Sequence, residues 1–151
     1  MAEAKIDIVG QNELPTVVRL YKDVFTPARD EAFFQRRLLG RHNPLVLLAF
    51  VDEQPVGFMV GLELKPNVFF EWLYGVLPTH RRAGIASQLM DAANAWANDH
   101  HYEYSRMECH TRNRPMLHMA IARGYDIIGI RWDNDRQSNL VIFEKELTIV
   151  A

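Results

Sequence analysis

Val76-Leu77-Pro78-Thr79-His80-Arg81-Arg82-Ala83-Gly84-Ile85-Ala86 is the stretch whose reading decides the fold. It joins an apolar, strand-like run to a helical pattern through a short basic turn. A helix start presents unpaired N–H groups and the positive end of the dipole. Such a junction suits a diphosphate. Gly84, with the small Ala83 and Ala86, lets the backbone approach an anion closely, and Arg81 and Arg82 add charge. Taken alone, the segment fits a solvated basic turn equally well. It lacks the Gly-Lys-Ser/Thr ending of a P-loop and the Gly-x-Gly-x-x-Gly pattern of dinucleotide sites.

Upstream, the residues read as strands. Leu45–Val51 is apolar and β-rich, Asp52-Glu53-Gln54-Pro55 is a turn, and Val56–Leu64 returns. After Pro66-Asn67, Val68–Leu77 makes a third strand, which predicts an antiparallel meander. Gly75, a glycine inside that strand, predicts a bulge. Further back, Lys5–Val9 alternates as a first strand. Asn12 is placed to cap a helix over Glu13–Phe25, where Pro15 sits harmlessly in the first turn. A second helix spans Ala28–Gly40.

Downstream of the basic turn the period changes to that of a helix. Ile85–Asn98 puts Ile85, Leu89, Ala92, Ala93 and Trp96 on one stripe. Tyr102–Cys109 reads as a strand, Asn113–Arg123 as a helix stopped by Gly124, and Tyr125–Trp132 and Leu140–Ile149 as two last strands. The order β-α-α-β-β-β-α-β-α-β-β predicts an α+β (mixed α/β) fold with a mostly antiparallel central sheet and helices on both faces.

The bulk properties narrow the classes. The chain has 151 residues, a size suited to one domain over 1–151. A formal net charge of −2 argues against broad nucleic-acid binding. No apolar run approaches the ~20 residues of a membrane span. The start MAEAKIDIVG lacks a signal peptide's pattern, so a cytoplasmic location is expected. The single Cys109 excludes an internal disulfide and a four-cysteine zinc site, and no metal is expected. A homodimer is left open.

Around the basic turn the chain resembles the GNAT superfamily of N-acetyltransferases. Its signature, Gln/Arg-x-x-Gly-x-Gly/Ala after a strand ending in Val-x-Pro, is met by Val76-Leu77-Pro78 and Arg81-Arg82-Ala83-Gly84-Ile85-Ala86. The superfamily's next mark is an Asn after the following strand, with Gly-aromatic eleven residues on; Asn113 and Gly124-Tyr125 meet it. The Asp-Glu-Gln-Pro-Val-Gly hairpin and the element order also match.

The resemblance implies acetyl transfer from acetyl-CoA to an amine by direct attack. It implies that the strands on either side of the turn and its helix splay apart to admit the pantetheine arm. The backbone of Tyr74, Gly75 and Val76 would meet pantetheine, the amides of Arg81, Arg82, Ala83, Gly84, Ile85 and Ala86 would hold the diphosphate, and Asn113 would bind the arm or cap its helix. An alkylamine is mostly protonated at pH 7, so a base is needed. Glu71 is the first candidate, against the plain reading of an exposed strand carboxylate; His110 and His80 follow. Cys109 reads as core. Many members carry a Tyr seven residues after the Asn as the acid; here that position is Ala120. Tyr74, Tyr125 or solvent must serve instead. That departure keeps open a non-catalytic CoA-binding sensor of the same fold. The acceptor is expected against the two N-terminal helices and the last strands, with Asp23, Asp30 and Glu31 or Arg36, Arg37 and Arg41 as charges.

Overall fold

A computed structural model describes residues 3–147. Seven strands form one sheet: β1 (Lys5–Val9), β2 (Leu45–Val51), β3 (Gln54–Lys65), β4 (Val68–Val76), β5 (Tyr104–His110), β6 (Asp126–Asp133) and β7 (Ser138–Glu146). The spatial order is β1-β2-β3-β4-β5-β7-β6. Among the described residues only β4 and β5 pair in parallel. Four α-helices, α1 (Leu14–Val24), α2 (Glu31–Leu38), α3 (Ile85–Asp99) and α4 (Arg114–Ala122), complete the expected order.

The apolar run of β2 is buried on both faces, and its alternation divides the core in two. Val46 and Leu48 face Leu14, Val17, Leu20 and Tyr21 of α1 and Phe34 and Leu38 of α2. Leu45, Leu47 and Ala49 face Ile85, Leu89, Met90, Ala93 and Ala97 of α3. The stripe read along α3 is therefore its buried face, with Ala92 and Trp96 at its margin. β6, at the sheet edge, exposes Ile127, Ile128, Ile130 and Trp132. Among the described residues no helix is long and apolar enough to cross a membrane.

Several boundaries differ from the sequence reading, for local reasons. Asn12 is not a helix cap: Gln11–Glu13 forms a single 3₁₀ turn, and α1 begins at Leu14. α2 starts later than Ala28 because Asp30 caps it, its Oδ1 accepting from the Phe33 N–H at 3.0 Å. The β2–β3 turn is only Asp52-Glu53, both at positive φ, so Gln54 and Pro55 already pair. Pro78–His80 forms a 3₁₀ turn inside the basic loop. β5 starts at Tyr104; Tyr102 is instead core, its hydroxyl donating to Glu63 at 2.9 Å. α4 begins after Asn113, and β6 after Tyr125. β7 ends at Glu146; the 148–149 end of its expected span lies outside the described residues.

The bulge is not at Gly75. Val60 pairs with Leu73 and Gly61 with Glu71, so the extra residue in β4 is Trp72. Gly75 pairs regularly with Phe58. It is glycine because the fully buried Phe58 ring lies over it: a Cβ there would meet Phe58 Cε1 at 2.4 Å. Gly75→Ala should therefore cost about 1–3 kcal/mol through overpacking, read as a lower urea midpoint, and Phe58→Leu in the same chain should recover part of it. An unchanged midpoint would show that Phe58 is free to move.

Candidate active site

β4 and β5 are hydrogen-bonded only from Val68↔Tyr104 to Glu71↔Met107. Beyond that pair the strands part. On the β4 side the bulge at Trp72 turns the rest of the strand, and β3 keeps it paired through Val76. On the other side β7 keeps β5 straight to His110. The sheet thus forks at Glu71, as the sequence reading expected of these two strands.

Two cavities occupy the fork. One, of about 620 Å³, is lined by Tyr74, Gly75, Val76, Arg81, Arg82, Gly84, Ile85, Ala86 and Asn113, along with Ser87, Met116 and Met119. Nearly the whole expected cofactor set is gathered there. The other, of about 510 Å³, lies toward α1, α2 and β5–β7 and includes Glu71, Trp72, His110 and Arg37. Phe25, Tyr74, Asn113 and Met116 line both. Tyr74 therefore sits on the seam.

The basic loop is built for anions by its backbone. Arg82 and Gly84 take left-handed φ values of 62° and 80°, and Gly84 directly precedes α3. The Gln88 N–H closes the first helical turn on the Gly84 carbonyl at 3.2 Å. The amides of Ile85, Ala86 and Ser87 stand before that closure, at the positive end of the dipole. The Arg81 side chain is engaged elsewhere. Its Nε donates to the Val76 carbonyl at 3.2 Å, tying the loop to the end of β4. Asn113 caps α4, its Oδ1 accepting from the Met116 N–H at 3.4 Å, and also faces the cavity.

Glu71 is not an exposed strand carboxylate. It is 1% exposed and surrounded by hydroxyls. Tyr74 donates to its Oε1, while Ser105 and Tyr125 donate to Oε2 at 2.7 and 2.6 Å. Asn94 Nδ2 in turn donates to the Tyr125 hydroxyl at 3.0 Å. Burial raises the Glu71 pKa above its ordinary value, and the hydrogen bonds from Tyr125, Tyr74 and Ser105 hold it partly down. Burial, with the adjoining Glu71 charge, raises both tyrosines, so both stay protonated as donors. Of the three hydroxyls, only that of Tyr74 belongs to a residue lining the cavities.

The remaining expectations sort out by position. Ala120 lies in the core at 0% exposure, so its place on α4 gives no access to the fork; Met116 and Met119 face it instead. Tyr125 is 3% exposed and lines neither cavity. Cys109 is buried, and burial pushes its thiol up to about 11, in keeping with core. His110 is held by Ser138 at 2.7 Å on Nδ1 and by Asp133 at 3.5 Å on Nε2; burial, and then Arg136, lower its pKa. His80 lines the first cavity. Of the helix charges only Arg37 reaches the second; Asp23, Asp30, Glu31, Arg36 and Arg41 do not line it. Ser105, Asn94 and the Trp72 bulge escaped the sequence reading, since nothing in their neighbours marks a serine or asparagine as the partner of a distant carboxylate.

The Acetyltransferase (GNAT) family model matches residues 14–125. The chain belongs to that family. Over 83 residues it is 39% identical to an aminoglycoside N(6')-acetyltransferase type 1 of Acinetobacter genomosp. 13, covering 47% of this chain and 56% of that protein. The chain spans about half the length of the curated relatives it matches. The ribosomal-protein-S18-alanine N-acetyltransferase of Escherichia coli has the same fold, with a TM-score of 0.85 at 13% identity over 99% of this chain and 97% of that one. A GNAT family acetyltransferase of Elizabethkingia anophelis with acetyl-CoA bound aligns at a TM-score of 0.76 and 14% identity, over 95% of this chain and 98% of that one. Both likenesses concern the fold.

The buried carboxyl has a pH signature. Folding raises the Glu71 pKa above 4.5, so the folded chain holds that proton more tightly than the unfolded chain. The stability this group contributes is complete below 4.5 and is lost as pH rises through the raised folded value. Glu71→Gln removes the titration. The urea midpoint of the variant, relative to the native chain, should climb as pH is taken from about 5 to about 8. A difference that stays flat across this range would mean that the carboxyl titrates as it does in the unfolded chain.

Proposed function

We propose that the chain is an N-acetyltransferase that moves the acetyl group of acetyl-CoA to an amine. The parting of β4 and β5 at Glu71, with a cavity on each side of Tyr74, carries this reading. One cavity has an amide-rich, basic end for a diphosphate. The other has room for an acceptor. In this reading the amides of Arg81–Ala86 hold the diphosphate, the backbone of Tyr74, Gly75 and Val76 meets the pantetheine arm, and Asn113 serves both as cap and as pantetheine partner.

The amine nitrogen attacks the thioester carbonyl carbon, a C–N bond forms, and the C–S bond breaks. The ammonium first loses one proton to solvent; the neutral nitrogen then gives up a second as it attacks, and the thiolate takes one. Glu71 lines the second cavity, but its two carboxylate oxygens are taken by three hydroxyls, so in this reading its basicity reaches the seam through Tyr74. The Tyr74 oxygen takes the amine proton while its own proton moves to Glu71 Oε1. Reversal of that transfer supplies the departing sulfur. Tyr74 is then both the acid and the contact base, and position 120 has no part.

Acetyl-CoA at 100 times its Kd should raise the unfolding free energy by about 2.7 kcal/mol. An unaltered melting temperature at saturating acetyl-CoA would speak against the assignment. By calorimetric titration, Gly84→Val should weaken binding more than Arg81→Ala. Position 84 needs φ of 80°, whereas the Arg81 side chain is occupied at Val76. If Arg81→Ala were the weaker binder, side-chain charge would be holding the diphosphate.

Tyr74→Phe and Glu71→Gln should each lower kcat at least tenfold, within the ~10²–10⁴ worth of a general acid or base. Affinity for acetyl-CoA should hardly change. The double variant should be little worse than either single one, because the two act as one relay. Multiplying losses would mean that Glu71 and Tyr74 work independently.

A further inference from the structure

The second cavity carries an unbalanced set of charges. Five arginines line it: Arg29, Arg37, Arg106, Arg131 and Arg136. Two are neutralised, Arg106 by Glu144 and Arg131 by Glu108, each at 2.6 Å. The other three have no carboxylate within ion-pair distance among the described residues. They come from three places: the segment before α2, α2 itself, and the β6–β7 loop. Each lies over an aromatic ring, Arg29 over Phe33 at 4.6 Å, Arg37 over Trp72 at 5.3 Å and Arg136 over Phe25 at 5.8 Å. All three are half-buried, while Arg36, one residue from Arg37, is exposed.

The acidic lining offsets them only in part: burial and then Arg41 disfavour the Arg37 charge, and the Glu108 carboxylate favours it. Glu108 is paired with Arg131, Asp133 sits 3.5 Å from His110, and Glu71 is closed in by three hydroxyls. Of the four acidic residues in the lining, Asp135 has no ion-pair partner among the described residues, and it is exposed. Arg29 Nε is buried without a hydrogen-bond partner. A buried donor left unpaired is costly, and a charged one more so. Among the described residues Arg136 donates to the Tyr21 hydroxyl, at 3.4 Å, and to no carboxylate. A planar guanidinium fork matches a carboxylate in a way a neutral group does not.

We propose that the amine acceptor also carries a carboxylate, bound by Arg29, Arg37 and Arg136, with its apolar part against Phe33 and Trp72. This makes it an amino acid or a short peptide rather than a polycation. The inference rests on the acetyltransferase reading for its second half only: the carboxylate site is a property of the cavity. An aminoglycoside, the acceptor class named for the curated relatives, would bring ammonium groups against three unpaired guanidiniums.

Binding and turnover test it separately. N-acetylated phenylalanine, leucine and glycine are titrated calorimetrically against the full chain, beside the matching carboxamides. At least one carboxylate should bind tenfold or more tightly than its carboxamide. Arg37→Gln and Arg136→Gln should each lose at least tenfold for the carboxylate and less than threefold for the carboxamide, with unchanged acetyl-CoA affinity and melting temperature. In turnover with acetyl-CoA, phenylalanine should exceed phenylalaninamide and kanamycin in kcat/KM at least tenfold. Equal binding of the two series, no binding of any carboxylate, or preferred turnover of kanamycin overturns the proposal. Arginine variants that weaken both series alike overturn it too. Carboxylate binding lost in the arginine variants, with no thiol released from acetyl-CoA by any amine, would uphold the anion site and refute the acetyltransferase reading instead.

Discussion

The parallel pairing of β4 with β5 ends at Glu71↔Met107, and the rest of the site follows from that ending. A sheet whose strands part must leave backbone groups unpaired on the inner edges, and buried groups of that kind demand partners. β3 satisfies one side of β4, and β7 one side of β5. The inner sides remain for a ligand that can itself hydrogen-bond as a strand does. The extra residue at Trp72 turns β4 at the point where separation begins and places Trp72 in the wall of the second cavity, beside Phe33, Phe34 and Arg37.

At the apex the fold buries a carboxyl group, which burial alone would disfavour in its charged form. Three hydroxyls from three elements compensate: Tyr74 on β4, Ser105 on β5 and Tyr125 just before β6. The network therefore ties together the strands that border the fork. It also separates the roles of two tyrosines that look equivalent in the sequence. Tyr125 is backed by Asn94 and enclosed, whereas Tyr74 opens on both cavities.

Charge is distributed differently at the two ends of the fork. At the basic-loop end, backbone amides and the α3 dipole carry the positive potential, and Arg81 is held at the Val76 carbonyl. In the second cavity the potential comes from guanidinium groups that lie over aromatic rings, which hold them in place without neutralising them.

The sequence determined what depends on near neighbours. Apolar patterning together with turn and stop residues placed the seven strands and four α-helices in order, because both signals are local, while the 3₁₀ turns at Gln11–Glu13 and Pro78–His80 were not foreseen. The Arg81–Ala86 turn was legible because its backbone chemistry lies in six consecutive residues. Asp30 as a cap and the two-residue Asp52-Glu53 turn were missed at the margins, where adjacent residues compete for the same role. Only the tertiary structure decided the rest. The glycine at 75 answers to Phe58, seventeen positions away in the chain, so its reading as a bulge went to the wrong residue. Glu71 could be read in the sequence as a base or as an exposed strand carboxylate, and its burial was not legible because Ser105 and Tyr125, which enclose it, arrive from distant elements. Arg37 could not be told from Arg36 and Arg41 until α2 packed on Trp72. Burial and charge pairing are set by groups far apart in sequence, and no local pattern records which of them will meet.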